Sequence, residues 1–254
     1  MAITIKSERE IELMAEAGKI LERVHNELEN ALRPGMSTKD IDTLGEEIIR
    51  SYGCIPSFLN YNGYPASICV SVNQEVVHGI PDKHRIIQEG DIVSLDAGVI
   101  YKGYHSDAAR THAVGEVSEE AKKLIQVTKE SFFEGIKFAK AGNHLFDISG
   151  AIGRYAEERG YGVVRDLCGH GIGTALHEAP EIPNYEVGRK GVRLRPGMTL
   201  AIEPMINIGT HEVDWLDDDW TVVTRDGSIS AHYENTILIT EGEPRILSLT
   251  CENE

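Results

Sequence analysis

Apolar residues recur at helical spacing between positions 8 and 31, through Ile11, Met14, Ala15, Ala17, Ile20, Leu21, Val24 and Leu28, which predicts an amphipathic helix with one buried stripe. Arg33-Pro34-Gly35 ends it. Ser37 or Thr38 then caps a second helix through Ile41, Leu44, Ile48 and Ile49, which stops at Gly53. The same plan returns later. A long helix runs over 119 to 139, Gly142 breaks it, and another carries Phe146, Ile148, Ile152, Tyr155 and Ala156 to Gly160. Gly35 and Gly142, Asp40 and Asp147, Ile41 and Ile148, and Gly53 and Gly160 are each 107 positions apart, which suggests two halves related by duplication.

β-rich sequence follows each helix pair, over 66 to 77, 92 to 113, 163 to 169, 198 to 208, 220 to 223 and 229 to 240. Helices and strands thus come in blocks. Segregated blocks predict an α+β fold in which helices cover one face of a curved, mainly antiparallel sheet. The expected organisation is a single domain over 1 to 254, with a site between the halves.

Composition narrows the function classes. Acidic residues outnumber basic ones 41 to 25, a formal charge of -16, which repels phosphate backbones and argues against a nucleic-acid groove. The run from Asp214 to Trp220 reads as a solvated acidic loop. No stretch is apolar enough for a secretion signal or a membrane span, so a cytoplasmic location is expected. Cys54, Cys69, Cys168 and Cys251 form no Cys-x-x-Cys pair, so reduced thiols are expected.

The stretch from Ile92 to Thr111 has the pattern of a β-hairpin. With the turn centred on Tyr101 and Lys102, Asp96 faces Asp107 across the ladder. Facing carboxylates repel unless a proton or a cation lies between them, and Asp is a poor strand former. A bound divalent ion offsets that cost; a pair of exposed turn carboxylates is the competing reading of the hairpin alone. His170 lies in Cys168-Gly169-His170-Gly171-Ile172-Gly173, where glycines permit close backbone approach but also fit a plain turn. Glu203 in Ile202-Glu203-Pro204 and Glu234 in Tyr233-Glu234-Asn235-Thr236 each adjoin an apolar strand, and buried carboxylates need partners. Four oxygen donors and one imidazole suit Mn, Fe, Co or Zn.

These segments, in this order and spacing, resemble those of the methionine aminopeptidases over nearly the whole chain. The resemblance implies the duplicated pita-bread fold shared with creatinase and proline-specific peptidases. It also implies two divalent metal ions bridged by Asp107 and Glu234, with Asp96 completing one site and His170 and Glu203 the other. His78 would contact the scissile amide, and His177 the carbonyl oxygen and its developing oxyanion. Glu203 would take the proton of a shared, metal-acidified water. The methionine pocket would comprise Tyr61, Tyr64, Cys69 and Trp220, with Phe58 and Leu176 beside them. Phe58 stands where relatives often have cysteine, Leu176 where they often have an aromatic, and Asn235 where many have histidine. These departures are expected to alter pocket shape and leave the ligand count unchanged.

Only 25 residues separate His177 from Glu203, too few for the helical insert of the type II enzymes, and there is no Cys-rich leader. The resemblance is therefore to the bacterial-like type I form. Proline-specific relatives carry a large N-terminal domain, and ligand-depleted relatives act as scaffolds; neither pattern fits this sequence. The implied activity is removal of the initiator methionine before a small second residue. The implied partners are nascent polypeptide N-termini, with ribosome association left open, no membrane, and a monomeric chain. The chain's own Met1-Ala2 meets the small-residue rule. Protein made in a cell should therefore lack Met1 by intact-mass measurement, and full retention would count against the specificity.

Overall fold

The computed structural model describes residues 3–249; Met1, Ala2 and Cys251 lie outside the described residues. Helix α1 (Glu8–Ala31) starts in a reciprocal cap: Ser7 Oγ accepts from the Glu10 N–H, and the Glu10 carboxylate accepts from the Ser7 N–H at 2.8 Å. Helix α2 (Thr38–Ser51) repeats the device with Ser37 as the cap and Asp40 as its partner. Helix α3 (Glu119–Ile136) ends short of Ala139, because the N–H groups of Phe138 and Ala139 turn back to carbonyls three residues earlier. Helix α4 (Leu145–Glu157) begins where Asp147 accepts from the His144 N–H at 2.8 Å.

The duplication extends beyond the helices. Gly35 and Gly142 share a left-handed φ, +91° and +92°, which a side chain would resist. The Gly35 N–H donates to Ile87 O and the Gly142 N–H to Leu194 O, again 107 positions apart. The isolated bridges Ser37 to Ile86 and His144 to Arg193 obey the same offset. Carried forward, that offset sets Asp96 on Glu203.

All the strand ladders are antiparallel. Among the described residues they form four hydrogen-bonded groups, antiparallel as expected. In the strand Ile92–Tyr101, Val93, Leu95, Ala97 and Val99 enter a core with Leu21, Val24, Ile41 and Ile49 of α1 and α2. In the second half Phe132, Ile148 and Ile152 of α3 and α4 pack on Leu200, Ile202 and Ile237. The period of two then sends Asp96 to the face away from the helices.

The hairpin register differs from the expected one. Asp107 opposes Gly98, and Asp96 opposes Ala109. The turn sits on Lys102 and Gly103, whose φ values of +49° and +86° suit a tight hairpin turn, and placing it on Tyr101 and Lys102 overlooked Gly103. The shift is by two residues, so Asp96 and Asp107 stay on one face as diagonal neighbours.

Several expected strands are interrupted. The stretch 66 to 77 divides into Ile68–Val72 and Glu75–Val77 at Asn73, which has a φ of +57°. The stretch 163 to 169 is not one strand: Gly162–Val163 and Gly169–Gly171 belong to different sheets, with an irregular link between them. Thr199–Ile202 and Met205–Asn207 part at Glu203-Pro204, where proline has no N–H for a ladder. Ser230–His232 and Asn235–Leu238 part at Tyr233-Glu234. Both glutamates therefore sit where the chain crosses from one sheet to another.

The two halves are joined by reciprocal bonds. Ala109 and Glu234 each donate a backbone N–H to the other's carbonyl, at 3.4 and 3.0 Å. Thr236 Oγ1 accepts from the Asp107 N–H and donates to the Asp107 carbonyl, both at 2.9 Å. Thr111 Oγ1 does the same for His232. Ala109 and Glu234, Thr111 and Thr236, and Asp107 and His232 are each 125 positions apart, a second offset. The difference of 18 residues between the two offsets falls in the connection between Glu203 and Glu234, which holds the acidic 214–220 run. Thr236→Val removes both bonds to the buried Asp107 backbone and should lower unfolding stability by roughly 2–4 kcal/mol in urea titrations; an unchanged midpoint would contradict this role.

Candidate metal centre

Five side chains from five chain segments converge on the non-helical face of these strands. One oxygen of Asp107, one nitrogen of His170 and one oxygen of Glu234 lie within 4.8 Å of one another. Glu203 Oε1 is 3.6 Å from His170 Nε2, and Asp107 Oδ2 is 3.9 Å from it. Asp96 completes the wall of the same cavity. Its strand neighbour Cys69 is paired directly with it.

Glycines make room for this approach. A Cβ on Gly169 would lie 2.4 Å from Ala201 O, and one on Gly171 would lie 2.2 Å from Ala179 O. The Gly-His-Gly sequence thus serves close strand packing, with His170 between. His170 Nδ1 is 2.8 Å from the Gly171 carbonyl, a pure acceptor, so that nitrogen carries the proton. The lone pair on Nε2 is left facing Asp107 and Glu203.

The electrostatics of the cluster are unfavourable without a cation. Burial pushes Asp96 up to about 8. Asp107, Glu203 and Glu234 are also raised, first by burial and then by their negative neighbours. Burial lowers His170 to about 3, so its spacing to the carboxylates is not that of an ion pair near neutral pH. Arg110 offers little relief, as the last of the influences on Glu234.

Asp96 Oδ1, Asp107 Oδ1 and Glu234 Oε1 are buried and accept no hydrogen bond from the described residues. Unsatisfied carboxylate oxygens, a free imidazole lone pair and separations too long for hydrogen bonds fit divalent cations bound between them. The donor set suits Mn, Fe, Co or Zn.

The cavity, of about 310 Å³, is also lined by His78, His177, Phe58, Tyr61, Tyr64, Cys69, Leu176 and Trp220. All five candidate ligands, both histidines and the six candidate pocket residues line it. His78 has a φ of +59°, rare for a side chain of this size, between a strand end and Gly79. Tyr64 anchors that segment by donating to Gly79 O at 2.9 Å. Burial lowers His78 to about 4, leaving a neutral imidazole that can donate one N–H. Residues 214 to 219 are exposed as expected, but Asp214 and Trp215 belong to the strand Val213–Trp215 and only the rest is loop, where Asp218 accepts from the Trp220 and Thr221 N–H groups.

Asn235 is a correction to the sequence reading. It does not line the cavity; its Oδ1 accepts from Arg110 and from Ser248 Oγ. It therefore braces the backbone behind Glu234 and does not shape the pocket. Arg110 itself was missed, although a cation within a strand, three residues after Asp107, is a visible signal. Its guanidinium also bonds Glu234 O and covers the Tyr233 ring at 4.5 Å. Asp166, Leu167 and Cys168, in the link read as strand, line the cavity too.

Residues 12–241 match the model of metallopeptidase family M24. A methionine aminopeptidase from Clostridium acetobutylicum is 57% identical over 250 residues, covering 98% of this chain and 100% of that protein. The crystal structure of a methionine aminopeptidase from Thermotoga maritima superposes with a TM-score of 0.96 at 47% identity, covering 98% and 100% of the two chains. An Xaa-Pro dipeptidase from Bacillus anthracis reaches 0.77 at 28% identity, covering 97% of this chain but 62% of that one.

A cluster that holds protons when folded and releases them when unfolded loses stability as pH rises. For Asp96 the window runs from the ordinary carboxylate range to about 8. Metal-free protein should thus become less stable across that window. Asp96→Asn should raise its unfolding free energy at pH 8 by roughly 1–3 kcal/mol; a loss of stability would show that the carboxylates do not repel.

Proposed function

The chain belongs to metallopeptidase family M24, and we propose that it removes methionine from the N-termini of nascent polypeptides, the whole chain acting as one catalytic domain of pita-bread fold. The observation that carries this reading is the meeting of four buried carboxylates and one imidazole in a cavity with aromatic walls. Family membership implies divalent metal binding. Asp96, Asp107, His170, Glu203 and Glu234 would together hold two divalent ions. Bound cations would acidify a water and polarise the substrate carbonyl.

The residues of the chain do the rest. Glu203 takes the proton of the attacking water at a carboxylate oxygen and returns it to the departing amine. His78, neutral, donates to the scissile amide, and His177 donates to the carbonyl oxygen as charge develops there. Tyr61, Tyr64, Phe58, Leu176, Cys69 and Trp220 enclose the methionine side chain, whose thioether suits aromatic contact. Trp220 meets Tyr64 edge-on at 5.1 Å and His78 at 6.3 Å, so one ring braces the pocket and the amide-binding imidazole together. The second substrate residue must fit beside His78, which favours small side chains.

The identity and length match to the methionine-specific relatives favour this reading over a proline-specific one. No helix among the described residues is long and apolar enough to cross a membrane. The enzyme acts as a monomer in the cytoplasm on chain N-termini as they emerge, a setting that permits transient ribosome docking.

With Mn or Co added, the protein should release methionine from a Met-Ala-Ser peptide. Asp96→Ala and His78→Ala should each cut kcat/KM by roughly a hundredfold or more. Equal turnover by all three proteins would end the proposal.

A further inference from the structure

Tyr61 Oη lies 2.6 Å from His177 Nδ1, with the two rings tilted and their centroids 5.1 Å apart. A separation of 2.6 Å is ordinary for an O–H donor and shorter than the usual N–H···O range. The phenol hydroxyl is therefore the donor and Nδ1 the acceptor. A neutral imidazole that accepts at Nδ1 carries its proton on Nε2.

His170 makes the contrast plain. Its ring meets that of His177 edge-to-face at 4.2 Å, but its Nδ1 faces a carbonyl and must carry the proton. The two adjacent imidazoles therefore hold opposite tautomers. His170 offers a lone pair from Nε2, and His177 offers a proton from the same atom.

We propose that Tyr61 is a positioning residue that locks His177 as the Nε2–H tautomer, making it a hydrogen-bond donor to a peptide carbonyl oxygen. The inference rests on the aminopeptidase reading for its substrate, and it gives Tyr61 a role beyond walling the pocket. A phenylalanine would keep the ring and lose the lock.

The test is two-bond ¹⁵N–¹H correlation on zinc-loaded, ¹⁵N-histidine-labelled protein, with His177→Asn used to assign the ring. In the unmutated protein Nε2 should be pyrrole-like and Nδ1 pyridine-like with the shift of a hydrogen-bonded acceptor. Tyr61→Phe should abolish that acceptor shift and lower kcat about tenfold with KM nearly unchanged. A proton on Nδ1 of the unmutated protein, or an unaltered His177 spectrum in Tyr61→Phe, would overturn the proposal. The spectrum needs no turnover. Failure of the unmutated enzyme to release methionine would thus sink the aminopeptidase reading, while the tautomer is judged separately.

Discussion

Four carboxylates converge in one buried cavity, and the protein does not neutralise them itself. Asp96, Asp107, Glu203 and Glu234 are all raised in proton affinity by burial, and three of them also by one another. Crowding of this kind opposes folding unless positive charge enters from outside. His170 supplies a lone pair and no charge. The nearest guanidinium, on Arg110, is committed to the backbone and side chains behind Glu234. Divalent cations resolve the conflict, and the same ions then make hydrolysis available.

The duplicated fold explains how such a cluster is assembled. Each half presents a helix pair on one face of its strands and leaves the other face to the site. Asp96 and Glu203 occupy equivalent places in the two halves, whereas Glu234 corresponds to Ala109. The pseudo-symmetry is therefore broken at the acids, and the cluster of four carboxylates and one imidazole is lopsided by construction. The extra length between Glu203 and Glu234 brings Trp220 to the cavity wall, so one insertion supplies both an acidic surface loop and part of the pocket.

Much of this was legible in the sequence, for identifiable reasons. The helices follow from apolar spacing and from Ser and Gly punctuation, and α1 matches its expected span. The ligands stood out because charged residues in apolar strands need a reason to be there. The hairpin register was not legible, because choosing the turn required knowing that Lys102 would adopt a positive φ beside Gly103. Pro204 was a visible signal for the break after Glu203, whereas Tyr233-Glu234 looks like continuous β sequence and only the ladder shows that the chain changes sheets there. Asn235 was read as shaping the pocket because relatives often have histidine there, but alternation turns its amide away from the cavity that Glu234 faces.

The central claim is that cations sit among these carboxylates. Anomalous diffraction from a crystal soaked in Mn tests it most directly. Two peaks enclosed by Asp96, Asp107, His170, Glu203 and Glu234 are the result this account requires. Full soaking with no peak in the cavity, or peaks bound only at the surface acidic loop, would contradict it.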